Sequence, residues 1–280
     1  MSGGPGVEGS WVEPVSRRTF GYRVWRAHEA RALLIIVHGF GEHGGRYEAF
    51  ARELAQQGIT VAAPDLWGHG RSGGARGDLG DVPDCVRQLE RMADEVFLPQ
   101  AVQTRYALFG HSFGGLASIR WALDGPTTLR RVVIQAPLLE VGFPIPRWKQ
   151  SASALLARVW PRWSFHMGLD LSMLSHDPAV RQAYLADPLT HHVMSVRTYR
   201  SLQRAEDDAF ERAPALRVPI LLLCGSDDRI ISVERAQQWF ERLTCRKQRR
   251  LFPGGYHELH HEVFQDEILR AVRDWTLADG

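Results

Sequence analysis

Apolar and polar positions alternate from 19 to 26, with Phe20, Tyr22 and Val24 in phase, the two-residue period of a strand with one face toward water. Downstream the pattern changes to short aliphatic runs at 33–37, 59–63, 106–109, 132–134 and 220–224. Such runs suit strands buried on both faces, and strands of that kind belong to parallel sheets. Helical patterns lie between them. The clearest sets Val82, Val86, Leu89, Ala93, Val96 and Phe97 three or four apart behind Asp81 and Pro83, which together form a start signal. Strand alternating with helix predicts an α/β fold, a mostly parallel doubly wound sheet with its functional loops beyond the carboxyl ends of the strands.

The alternation stops after Pro137 and resumes near Pro219. The stretch between them holds Phe143, Trp148, Trp160, Trp163, Phe165, Met167 and Met173, broken by Pro144, Pro146, Pro161 and Pro178. It predicts a helical cap inserted after the sixth strand, over 138–211, between core segments 16–137 and 212–280. Residues 1–15, Gly-rich at their start, are expected to be a flexible terminus. A length of 280 residues accommodates one α/β core with such an elaboration.

Composition narrows the function classes. With 44% hydrophobic and 24% charged residues the chain is globular. The formal net charge of +2 comes without a long Lys/Arg block, so nucleic acid is not an expected partner. Arg181, Arg197, Arg200 and Arg204 read as solvated helix surface. Cys85, Cys224 and Cys245 have spacings that suit neither a disulfide framework nor a cysteine zinc site, which points to a reducing, cytoplasmic compartment. The first residues lack the basic and apolar regions of a secretory signal, and the longest aliphatic run, 32–37, is too short to cross a bilayer.

The candidate chemistry begins with Gly110-His111-Ser112-Phe113-Gly114, directly after the run 106–109 and before an apolar helical stretch. In that context the glycines permit a tight strand-to-helix turn, and Ser112 is presented as a nucleophile at a helix N-terminus. A serine needs a base, and the chain order in such sites is serine, acid, histidine. Asp227 and Asp228 follow the run 220–224, and either could orient an imidazole. His257, in the turn Pro253-Gly254-Gly255-Tyr256-His257, is the candidate base. The amides of Phe40, in His38-Gly39-Phe40-Gly41, and of Phe113 are the candidate oxyanion-hole donors.

Two other motifs are rejected on context. Residues 68–73 satisfy G-x-G-x-x-G, but Gly74-Ala75-Arg76-Gly77 follows where a phosphate-binding helix would have to begin. His257-Glu258-Leu259-His260-His261 reads as H-E-x-x-H, but Pro253-Gly254-Gly255 places His257 outside or at the edge of any helix, and no third ligand is evident.

The successive motifs resemble those of the monoacylglycerol lipase and lysophospholipase branch of the α/β-hydrolases. The resemblance rests on His38-Gly39-Phe40-Gly41-Glu42-His43 with Arg46-Tyr47, on Asp65-Leu66-Trp67-Gly68-His69-Gly70-Arg71-Ser72, and on Gly110-His111-Ser112-Phe113-Gly114-Gly115. Gly225-Ser226-Asp227-Asp228-Arg229 and Gly254-Gly255-Tyr256-His257-Glu258-Leu259 complete it. It implies the α/β-hydrolase fold, a triad of Ser112, Asp228 and His257 with Asp227 as a loop carboxylate, and small monoacyl lipid esters as substrates. No metal or organic cofactor is called for. The match is loose over 138–204, and Phe113 stands where the branch usually has methionine. A carboxylesterase for small esters or a serine aminopeptidase would use the same machinery, with Asp170, Asp177, Glu206, Asp207 and Asp208 as carboxylates for a substrate amine. A catalytically silent binding protein is the reading from another class. Peripheral membrane contact through the cap is compatible with the sequence and not demanded by it.

Overall fold

The computed structural model describes residues 6–101, 103–125, 127–143, 153 and 155–278. Trp148, Pro144 and Pro146 of the expected cap lie outside the described residues. An eight-stranded sheet forms the centre, in the order β1-β2-β4-β3-β5-β6-β9-β10. Its strands are β1 (Val7–Val12), β2 (Thr19–Trp25), β3 (Ala32–Val37), β4 (Ile59–Pro64), β5 (Tyr106–His111), β6 (Leu129–Gln135), β9 (Ile220–Gly225) and β10 (Lys247–Phe252). The aliphatic runs account for β3, β4, β5 and β9, each buried along its whole length, and these pair in parallel. β1 and β2 are antiparallel.

Helices α1 (Glu48–Gln56), α2 (Val82–Met92), α3 (Phe113–Asp124), α6 (Val233–Arg242) and α7 (Gln265–Leu277) flank this sheet. Side chains of α2 and α3 fill one core, against alternate residues of β3, β5 and β6, and those of α1 and α7 fill a second. Two cores separated by a sheet are the three-layer arrangement that the strand and helix alternation requires.

The expected flexible terminus, 1–15, is corrected over its described residues by β1. Val7–Val12 pairs along its length with β2, and Trp11 packs 5.8 Å from the ring of Phe20. An edge strand with most residues in water carries too little apolar alternation to be recognised. At the other edge, β10 is exposed over five of its six residues and carries Lys247, Arg249 and Arg250.

Between β6 and β9 lie β7 (Ser164–His166), α4 (Pro178–Ala186), β8 (Val193–Ser195) and α5 (Val196–Glu211). Packing divides this stretch. α5 sinks Leu202, Ala205 and Ala209 into the core shared with α2 and α3, and its Thr198 and Ser201 hydroxyls accept from the amides of Leu79 and Val82. The residues before it stand over the carboxyl ends of the strands, tied by the short β7–β8 pair.

Candidate active site

β5 ends in a turn that the glycines alone make possible. Ser112 has φ 54° and ψ −116°, a strained backbone for any residue with a β-carbon. The turn brings α3 so close to the sheet that a β-carbon on Gly114 would stand 1.9 Å from the carbonyl oxygen of Val37. The Ser112 amide donates to Gln135 and its carbonyl accepts from Leu116 and Leu138, so the strained residue is held from three directions.

The loop after β3 passes over the serine. A β-carbon on Gly39 would lie 3.4 Å from Cβ of Ser112, and the rings of Phe40 and Phe113 meet edge to face at 6.1 Å. The Gly39 amide donates to Glu42 Oε1 at 2.5 Å, which also accepts from the Tyr47 hydroxyl at 2.9 Å. Of the expected amide donors, Phe113 follows Ser112 directly and Phe40 lines the same cavity as Ser112.

Asp228 and His257 meet at the carboxyl ends of β9 and β10. His257 Nδ1 lies 2.7 Å from Asp228 Oδ2, while Asp228 Oδ1 accepts from the amides of Ile230 and Ile231 at 2.8 and 3.1 Å. A carboxylate so engaged fixes the ring and its tautomer. Burial pulls the imidazole toward the neutral form, but the charge of Asp228 and its hydrogen bond override this and hold His257 above the ordinary histidine range. Asp227 is exposed and accepts from Ser226 Oγ. Of the two acids the sequence left open, Asp228 is the one against the ring.

Beneath this pair runs a polar layer that sequence reasoning did not assemble. Arg46, its side chain 8% exposed, contacts both oxygens of Glu258 at 2.6 and 2.8 Å and Glu42 Oε2 at 2.7 Å. Burial raises the pKa of both carboxyls, and the guanidinium overcomes it, keeping Glu258 well below its usual range and Glu42 lowered. The network joins the β3 loop to the residue after His257. Its signal in the sequence was the i, i+4 spacing of Glu42 and Arg46. The Gln135 amide nitrogen lies 3.0 and 2.8 Å from Nδ1 of His111 and His260, and burial, then the neighbouring His257, push His111 down to about 4.

The rejected motifs stay rejected. His257 is in a loop and Leu259–His261 is one 3₁₀ turn, so the histidines of H-E-x-x-H share no α-helical face. Glu258, His260 and His261 bring donor atoms within 4.8 Å of one another, but Arg46 already occupies Glu258 and would repel a cation. Residues 68–73 form a loop closed by Gly68 N–H to the Gly73 carbonyl, with no helix before Val82.

Ser112, His257 and Phe40 line one cavity of about 620 Å³. Most of its wall comes from the residues between β6 and β9, including Leu138, Phe165, Met167, Leu171, Met194 and Tyr199. Glu42, Arg46, Tyr184 and Glu258 form a polar end. A serine elbow, an aspartate-bound histidine and two flanking backbone loops at strand ends make up the nucleophile site of the α/β-hydrolases. Residues 28–263 match the family described as serine aminopeptidase, S33. The chain belongs to that family. Within it the chain is similar to a monoacylglycerol lipase of Mycolicibacterium smegmatis, 29% identical over 92% of each sequence. It is also 31% identical to the human monoglyceride lipase, over 91% of this chain and 85% of the other. The crystal structure of the monoacylglycerol lipase of Paleococcus ferrophilus superposes with a TM-score of 0.84 at 32% identity, covering 91% of this chain and 97% of that one. The α/β-hydrolase fold and the resemblance to the monoacylglycerol lipase branch, both expected from the sequence, hold for this family member.

Proposed function

We propose that the protein hydrolyses monoacylglycerol or a closely related monoacyl lipid ester through an acyl-enzyme on Ser112. The observation that carries this reading is the shape of the cavity around Ser112, an apolar chamber from the cap closed by one polar end. An acyl chain fills the first and a small alcohol such as glycerol meets Glu42 and Arg46 at the second. His257 takes the proton of Ser112 as its Oγ attacks the ester carbonyl, and Asp228 holds the resulting imidazolium. The Phe40 and Phe113 amides receive the oxyanion. His257 then protonates the departing alcohol, and water activated by the same ring releases the fatty acid.

The cap of this enzyme is the insertion over 138–211, and described residues of its part before α5 line the site. Against an aminopeptidase reading, the cavity carboxylates Glu42 and Glu258 are both bound by Arg46. Among the described residues none of Asp170, Asp177, Glu206, Asp207 and Asp208 lines the cavity, so a substrate ammonium finds no free partner. Peripheral lipid contact is part of the proposal, because Leu155, Val159, Trp160 and Trp163 are exposed beside Arg158 and Arg162, a composition that inserts at a headgroup interface. Co-sedimentation with phosphatidylcholine vesicles containing phosphatidylglycerol, lost on Trp160→Ala with Trp163→Ala, tests that contact.

Fatty-acid release from 1-monooleoylglycerol, with Ser112→Ala as blank and a short p-nitrophenyl ester alongside, tests the activity. Serine-dependent release from the glyceride at least matching the short ester is expected. Cleavage of the short ester alone would replace the lipid assignment with a small-ester carboxylesterase.

A further inference from the structure

The cap touches the backbone that is to hold the oxyanion. Gly41 carries φ +83°, and a β-carbon there would lie 2.4 Å from the carbonyl oxygen of His191. The Gly41 carbonyl accepts two hydrogen bonds from the cap, from the Tyr184 hydroxyl at 2.9 Å and from the His191 amide at 2.9 Å. A second tie runs from His43 Nε2 to Asp187 Oδ2 at 2.8 Å. The guanidinium of Arg46 lies over the Tyr184 ring at 4.8 Å.

Phe40 stands between these anchors. On its chain-start side the Gly39 amide is bound to Glu42, and on the other the Gly41 carbonyl is bound to Tyr184 and His191. The plane that carries the Phe40 amide also holds the Gly39 carbonyl, 2.7 Å from His38 Nδ1, so the loop is held on its core side by His38 and Glu42 and on its far side by the cap. We infer that the cap segment around α4 clamps the oxyanion loop, and that Tyr184 is a positioning residue for the hydrolytic step whatever alcohol the substrate carries.

The inference rests on the reading of Ser112 as nucleophile, and the experiment separates the two. Pre-steady-state kinetics are run on p-nitrophenyl octanoate and 1-octanoylglycerol, which share an acyl group and differ in the leaving alcohol. For Tyr184→Phe, acylation from both esters and deacylation of the common acyl-enzyme should slow by one factor, roughly ten- to a hundredfold, as expected when a donor is misplaced rather than removed. Substrate dissociation constants should change little, and affinity for an octyl trifluoromethyl ketone, whose hemiketal oxygen occupies the oxyanion position, should fall by the same factor. Asp187→Asn should slow the same steps about two- to fivefold, since one of the ties is then weakened. Slowing confined to acylation from the glyceride would overturn the inference and make Tyr184 a contact for the alcohol. Unchanged rates with a lowered melting temperature would also overturn it, leaving a structural role. Failure of a fluorophosphonate to label Ser112 in the unaltered protein would instead overturn the nucleophile reading and this inference with it.

Discussion

Asp228 and His257 are 8% and 3% exposed, whereas Trp160 and Trp163, on the cap over the same cavity, are 65% and 53% exposed. The carboxyl ends of the strands hold their polar groups by bonds to backbone amides, to Arg46 and to one another. Among the described residues, the cap before α5 has a three-residue strand pair, a short helical stretch over 155–159, the nine-residue α4 and few buried apolar side chains of its own. Chemistry that depends on angles of a few degrees is thus placed on multiply bonded backbone at the strand ends, and substrate choice is left to the cap wall away from the ties between α4 and the loop after β3.

Changes on the two sides should accordingly differ in what they remove. The largest effect lies at the strand ends, where Ser112→Ala or His257→Ala should lower turnover of short and long esters alike by about 10⁶-fold. Asp228→Asn should cost about 10⁴-fold, and Asp227→Asn should leave steady-state rates near those of the unaltered enzyme. Comparable losses at both aspartates would undo the distinction between buried and exposed acid.

Next in size is a loss of stability. Arg46→Met strands Glu42 and Glu258 without their counter-ion, and denaturant titration should show a loss of about 3 to 5 kcal/mol. A variant as stable as the parent would mean that the polar layer contributes no rigidity to the strand ends.

The cap gives a smaller and selective effect. Phe165→Ala opens the cavity wall, and kcat/KM for a long-chain monoglyceride should fall about tenfold while a short ester stays within about twofold. Equal losses on both substrates would show that this wall of the cap, like α4, acts on the chemistry itself.

The smallest effect is a displacement of the pH profile. The imidazole must be neutral to accept the proton of Ser112, and Asp228 holds it above the ordinary histidine range against the opposing effect of burial. The acid limb of kcat/KM should therefore lie above pH ~6.5 and move down in the residual activity of Asp228→Asn. By linkage, this ion pair stabilises the fold fully below the unfolded histidine pKa, and its contribution is lost as pH rises through the folded value. A limb unmoved by the substitution would remove Asp228 as the cause.

Legibility in the sequence divides along the same line. β3, β4, β5 and β9 were readable because complete burial writes continuous aliphatic runs, and the elbow because its glycines are required by contacts that leave no space. The helical pattern over 82–97 corresponds to α2 and a π-helical turn, Ala93–Phe97, that continues it. The pairing of β7 with β8 was not readable, since three-residue strands carry no period and the partners are far apart in the chain. Arg46 and Glu258 lie 212 positions apart, and charge alone does not say which carboxylate a buried guanidinium will meet. Gln135, between two histidine rings, gave no signal because a single amide at a strand end resembles any surface glutamine until the fold encloses it.

The open edge formed by β10 has a colloidal consequence. Unpaired amides and carbonyls along an exposed strand are a template for a further strand, from another copy or from a partly unfolded one. Here such an approach would bring cation against cation, because Arg249 and Arg250 alternate across the edge and Lys247 begins it. Lys247 also closes the end of α6 by donating to the carbonyls of Phe240, Glu241 and Leu243. One residue therefore finishes a helix and adds like charge to the edge that a further strand would approach, and raising ionic strength would weaken that repulsion while leaving the helix closure intact.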